Sequence, residues 1–178
     1  MKLFNKKNKQ YTQIFRLFTE ESWTLNAKNF NKNIALLFAG KKHEVFIETS
    51  EETITYYIGL GKETLQNFEF QQIGVKFSQT QKKNIQTVPT LFIADFINEK
   101  QFEEFTKGLF LGTYNYPFSK THAFWNESFE LHFGNLSQKK LDAISERIAE
   151  ICEGQTACQD WLNKPANLKR PEALNTYL

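Results

Sequence analysis

Cysteine, proline and methionine are scarce in this chain: two, four and one among 178 residues. The cysteines, Cys152 and Cys158, fall in one predicted helix. Their spacing sets them on different faces, which suits neither a disulfide nor a zinc knuckle, and they read as ordinary thiols of a reducing compartment. Histidine is also sparse. His43, His122 and His132 have no histidine or cysteine neighbour at metal-binding spacing and are read as surface or strand residues. No window approaches the ~18 consecutive apolar residues of a membrane-spanning helix. The opening stretch MKLFNKKNKQ has cations but no apolar segment after them, unlike a secretory signal, so a cytoplasmic location is expected. Without such a signal the glycosylation patterns at Asn126 and Asn135 carry no meaning.

Nor does charge of one sign dominate. A net charge of +2 argues against a chain built mainly to hold nucleic acid or an anionic membrane. Lys6, Lys7 and Lys9 read as a solvated terminus, and Lys41, Lys42, Lys82 and Lys83 stand without a nucleic-acid reading motif. The sequence has no Gly-x-Ser-x-Gly elbow and no phosphate loop with its lysine. No segment has the composition of a catalytic centre.

Aromatic side chains are what the chain has in quantity. The 18 phenylalanines form much of an apolar fraction of 40%, enough for a sizeable core because each ring buries a large area. Apolar alternation and β-favouring residues predict strands at 11–18, 44–49, 53–60 and 124–133, and at 88–96 entered through Pro89. The run IALLFA, 34–39, predicts a strand buried on both faces, and the first three elements are expected to form a meander. Residues 62–83 fit both periods, and their length and glutamine and lysine content favour helix. Asn98 is expected to cap a helix over 99–112, and Ser137 a last long helix whose buried stripe is Leu141, Ile144, Ile148 and Ile151. Helices interleaved with strands imply a layered α/β domain with its sheet covered on at least one face.

Three stretches carry more than a fold. Ile58-Gly59-Leu60-Gly61 reads as a glycine-rich turn after a strand and before a helix, where backbone amides either cradle an anion or simply permit a tight turn. Asp95 ends a strand and by itself indicates no function. In TKGLFLGTYNYPFSK, 106–120, Gly108 and Gly112 allow a close neighbour. Tyr114, Tyr116 and Phe118 then either pack under a loop or meet another domain or subunit. WLNKPANLKRPEAL, 161–174, has the look of a linker, and Pro171-Glu172 starts a helix that the sequence follows only to Leu178.

Taken in order, these stretches resemble the leucyl aminopeptidase (cytosol aminopeptidase) family. IGLG at 58–61 is similar to a strand and turn of its N-terminal domain, and KGLFLGTY at 107–114 to its EGxxLGxY segment. ACQDWLNKPANLKRPEAL at 157–174 is similar to its ARDLVNxPANxLTPExL signature. Lys107, Asn115, Gln159 and Trp161 depart from the family's usual residues. The resemblance implies a three-layer, macro-domain-like α/β fold with a mixed sheet over 1–136, then a linker helix and arm over 137–178. The arm, with Asn163, Pro165, Ala166, Asn167 and Pro171, would lead to a catalytic domain holding two divalent metals, zinc or manganese, that removes N-terminal residues from peptides. Segments resembling the family's metal-binding VGKGxTFDSGG and NTDAEGR do not occur in this sequence. The chain is therefore expected to be the non-catalytic front piece, with no metal or cofactor of its own. Its expected partners are its own catalytic domain and other subunits of a homohexamer. A nucleotide-binding module is the alternative, since macro domains elsewhere bind ADP-ribose; Gly59 and Gly61 would then have to contact phosphate.

Overall fold

The computed structural model describes residues 2–5, 10–62, 64–94, 97–114, 129–165 and 169. In chain order the elements are β1 (Lys2–Phe4), β2 (Gln13–Thr19), α1 (Glu20–Asn26), a 3₁₀ turn (Ala27–Asn29), α2 (Lys32–Leu37), β3 (Val45–Thr49) and β4 (Ile54–Gly61). They continue with α3 (Asn67–Gln81), β5 (Thr90–Ile93), α4 (Glu99–Leu111), β6 (Glu130–Phe133) and α5 (Gln138–Asn163). The sheet runs β1-β6-β5-β2-β4-β3, and every neighbouring pair is parallel except β3 with β4.

Alternation along β2 divides the structure into three layers. Phe15 and Leu17 point to one face, where they join Tyr56, Ile58 and Leu60 of β4 and the apolar stripes of α3, α4 and α5 in the main core. Phe18 points to the other face, where Trp23 of α1, Ile34 of α2, Phe38 and Tyr57 form a second, aromatic cluster. The expected three-layer α/β fold with a mixed sheet is what the chain adopts. Gln13, buried at the start of β2, donates to Thr90 Oγ1 at 2.7 Å and accepts from the Gln86 amide at 2.9 Å, which fixes where β5 joins the sheet.

Several elements differ from their sequence reading. IALLFA is not a strand: Asn31 accepts from the Asn33 amide, and the helix α2 follows. Ile34 and Phe38, four apart, supply its buried side, while Leu36 and Leu37 stay 82% and 65% exposed. A short apolar run does not distinguish strand from helix, and here the cap decided. The expected meander is absent, because α1 and α2 carry the chain from β2 over to a strand hairpin whose second member lies parallel to β2. β1 was not anticipated; it is a three-residue margin whose Lys2 amide donates to the Phe129 carbonyl at 3.1 Å. Ser137 occupies the cap position of α5 without a side-chain cap bond, and Cys152, not Ile151, completes the buried stripe after Leu141, Ile144 and Ile148. Of the predicted strand 124–133, residues 124–128 lie outside the described residues, as do Asp95, His122 and the lysines at 6, 7 and 9.

The tightest packing between helices joins α3 to α4. A Cβ on Gly108 would meet the Gln71 carbonyl oxygen at 2.2 Å, one on Gly74 the Phe105 oxygen at 2.4 Å, and one on Gly112 the Val75 oxygen at 2.5 Å. The helices thus touch backbone to backbone, and buried Ser78 donates to the Leu109 carbonyl at 2.8 Å within the same seam. Gly108→Ala is expected to destabilise the protein by about 1–3 kcal/mol or more, through overpacking that neither helix can relieve by a rotamer change. Gly154→Ala, where nothing lies within 4 Å, is expected instead to stabilise α5 by up to about 1 kcal/mol. Thermal melts of the two variants should move in opposite directions.

Candidate functional site

The glycine seam aims the end of α4 at the far half of α5. After Leu111 the chain turns through Gly112, whose amide donates to the Gly108 carbonyl at 2.9 Å. Thr113 then closes the turn, its hydroxyl donating to the Phe110 carbonyl at 2.7 Å. Tyr114 follows, half-buried, and its hydroxyl donates to Asp160 Oδ1 of α5 at 2.6 Å. Asn163, the last residue of α5, reaches the same hydroxyl with Nδ2 at 3.4 Å. Of the sequence-predicted linker and interface residues, Tyr114 and Asn163 are brought together. Pro165 is exposed, and Ala166, Asn167, Pro171, Tyr116 and Phe118 lie outside the described residues.

The end of α5 is closed by the Lys164 amide and by the ammonium of Lys169. The Lys164 amide donates to the Asp160 and Trp161 carbonyls, and its ammonium lies 4.9 Å from the centre of the Trp161 ring. Lys169 Nζ donates to the Leu162 carbonyl at 2.6 Å. Cations suit this end because its last carbonyls have no helical partner and carry the negative end of the dipole. Leu162 is 69% exposed and Ile151 41%, so the outer side of this half-helix presents apolar side chains.

A second polar seam, not anticipated from the sequence, ties α4 to α5. Glu103, buried on α4, is held from two nitrogens by Arg147 of α5: Nε lies 3.3 Å from Oε1 and Nη2 3.0 Å from Oε2. Lys107, at a position where the resembled family has glutamate, pairs instead with the neighbouring carboxylate of Glu104 at 2.6 Å. Glu99 and Lys140 close the other end at 2.6 Å. The signal for these was the Lys-Glu-Glu-Lys spacing of 100, 103, 104 and 107, which places all four on one side of a helix. Burial alone would push the Glu103 carboxyl up, but the Arg147 hydrogen bonds and the charge of Lys100 outweigh it and hold the group below its ordinary value. Cys152 lies in the core beneath, its thiol pushed up to about 11 by burial against the opposing pull of Lys107.

The glycine pair read as a possible anion cradle has another use. Gly59 lies inside β4 and Gly61 ends it, so the turn expected there belongs to the strand. The Gly59 amide donates to the Glu44 carbonyl and the Gly61 amide to the Gly40 carbonyl, both at 2.8 Å. A Cβ on Gly59 would meet the Lys41 oxygen at 2.0 Å. The glycines therefore admit the turn 40–44, which Glu44 braces by accepting from the Ala39 and Lys41 amides at 2.9 Å each. Among the described residues no group of three His, Cys, Asp or Glu side chains is placed to hold a metal, and no helix is long and apolar enough to cross a membrane.

No family model and no curated protein matches the chain. Solved structures do. A variant of tomato leucine aminopeptidase superposes with a TM-score of 0.74 at 12% identity, covering 98% of this chain and 40% of that one. The fold is that of a leucine aminopeptidase domain. The cytosol aminopeptidase of Coxiella burnetii gives a TM-score of 0.66 at 13% identity, over 98% of this chain and 36% of its own. The bottromycin maturation enzyme BotP gives 0.65 at 13%, over 94% and 36%, and has also been solved with Mn. This chain thus spans well under half the length of each of these proteins.

Two outcomes are expected of this seam. Tyr114→Phe removes about 1 kcal/mol of hydrogen bonding at a helix end, so amides of the last turn of α5 should exchange about fivefold faster while the melting temperature barely moves. The depressed Glu103 carboxyl contributes stability that is present above 4.5, its ordinary value, and lost as pH falls through the lower folded value. Arg147→Ala should therefore lower the melting temperature at neutral pH and flatten its decline on the acid side.

Proposed function

We propose that this chain is the non-catalytic N-terminal part of a metalloaminopeptidase that removes N-terminal residues from peptides. The observation that carries the reading is the fold match, which takes in 98% of this chain but 40% of the tomato leucine aminopeptidase chain. It is supported by the sequence of the arm, where Leu162, Asn163, Pro165, Ala166, Asn167, Pro171 and Glu172 fall in the places of the family signature. In this reading the work of the chain is architectural. It packs against a catalytic domain reached through the arm that follows α5, and it meets neighbouring subunits of a homohexamer.

The metal chemistry of such an enzyme, zinc or manganese, is not assigned to the described residues of this chain. A two-metal site needs convergent acidic ligands free to bind the ions. The buried acids here are already committed, Glu103 to Arg147 and Glu104 to Lys107. A nucleotide-binding role is not adopted either. Its two glycine amides are spent on the 40–44 turn, and α1 begins with Glu20 and Glu21, whose charge opposes an anion there.

The test is a leucine-anilide assay on the 178-residue chain with added manganese. No hydrolysis is expected, and turnover by the pure chain would overturn the assignment. The coding sequence beyond Leu178 is expected to encode segments similar to VGKGxTFDSGG and NTDAEGR. Reading that sequence decides the matter independently of any assay.

A further inference from the structure

β3 ends the sheet, with β4 as its sole strand neighbour among the described residues. The phase of their pairing is fixed at both ends. The Ser50 amide donates to the Thr53 carbonyl, and the Gly59 amide to the Glu44 carbonyl, each at 2.8 Å. Hydrogen-bonded positions alternate along an antiparallel pair, so residues 44, 46, 48 and 50 turn their backbone groups toward β4. Val45, Ile47 and Thr49 turn theirs outward.

Such an edge is a template for another strand, and proteins usually blunt it with lysine, proline, a bulge or a cover. No lysine or proline lies within VFIET, and its pairing with β4 runs without a register shift. Its one charged side chain, Glu48, accepts the Tyr57 hydroxyl at 2.8 Å, and α2 alongside exposes Leu36 and Leu37. The ends of the edge are opposite in charge. Lys41 and Lys42 precede it and Glu51 and Glu52 follow it, all four exposed. Glu44, just before the strand, is turned back onto the Ala39 and Lys41 amides and leaves the leading end net positive. Lys41 and Glu51 have no ion-pair partner among the described residues.

We propose that β3 pairs antiparallel with β3 of a second copy of this chain, about a two-fold axis at Ile47. In that register Ile47 donates to and accepts from Ile47 of the other copy, and Val45 pairs with Thr49. An antiparallel arrangement brings the lysine end of each strand to the glutamate end of the other. A parallel pairing would instead set like charges together at both ends, so the charge order selects the two-fold. The partner is a second copy because the edge is complementary to itself in both hydrogen bonding and charge. The pairing requires no catalytic domain: a monomeric result leaves the peptidase reading intact, and an inactive chain leaves this one intact.

Sedimentation equilibrium over a wide concentration range tests it. The chain should form a dimer, and concentration-dependent protection should appear in hydrogen exchange at Val45, Ile47 and Thr49. Thr49→Pro deletes an outward amide at an exposed position, a change an edge strand tolerates, and should weaken the dimer at least tenfold. Lys41→Glu and Glu51→Lys should each weaken it, and the double charge swap should restore it, which keeps the test decisive if the proline variant fails to fold. A chain that stays monomeric at every concentration overturns the proposal. So does a dimer that none of these variants changes, since its contact would then lie elsewhere.

Discussion

The crossing of α3 and α4 is the constraint from which the rest of the packing follows. Gly74, Gly108 and Gly112 remove side chains at three successive points of contact, so carbonyl oxygens of one helix sit where a Cβ of the other would be. That closeness lets both helices lie over the same few strands. Phe70, Ile73 and Phe77 descend from one, Phe102, Phe105 and Leu109 from the other, onto Phe15, Tyr56, Phe92 and Phe133. The large residues and the missing ones are complementary. Rings fill the layer between helices and sheet, and their edge-to-face contacts, such as Phe15 with Tyr56 and Phe77, favour one arrangement over looser alternatives. Phe102 and Phe133 stack at 4.3 Å between centroids in the same layer.

Once α4 is fixed, α5 has one place to lie. Its apolar stripe covers the β6 and β1 side of the core, and the Arg147–Glu103 and Lys140–Glu99 pairs set its axial position against α4. The partly buried Arg147–Glu103 pair adds little net stability relative to apolar packing, but breaking it leaves the buried Glu103 charge uncompensated. The exposed Lys140–Glu99 pair contributes less still. The pairs are better understood as specifying register, which matters because the apolar stripe alone would tolerate a slide by one turn.

How far the sequence revealed this depended on whether the deciding group was local. Asn98 announced α4, its side chain accepting from the Gln101 amide, and the alternation of Phe129, Leu131 and Phe133 announced β6. Gly108 and Gly112 were legible as a place of close approach, but not their partner, since Gly74 lies on another helix. α2 was misread because six apolar residues in a row satisfy either period, and only the Asn31 cap and the exposure of Leu36 and Leu37 separate them. β1 was invisible: three residues cannot show alternation, and their strand exists only through pairing with β6. At the candidate site Tyr114 was visible as an aromatic in an unusual segment, whereas Asp160 was one acid among many until the fold placed it 2.6 Å away.

The far half of α5 raises a question of stability that the near half answers. Beyond Cys152 the helix leaves the main core, and a free segment of about three turns would be marginal in water because nucleation is costly. Here nucleation is already complete, since the preceding four turns are held in the core, so each further residue only propagates the helix. Propagation still needs a stop, and the Lys164 and Lys169 contacts to the last carbonyls provide it. Direction needs a lateral hold, and the Tyr114–Asp160 bond is well placed because it acts one turn from the end, where leverage on the axis is greatest. Held this way, the last turn of α5 keeps its position against the end of α4, the same helix the glycine seam fixes to α3.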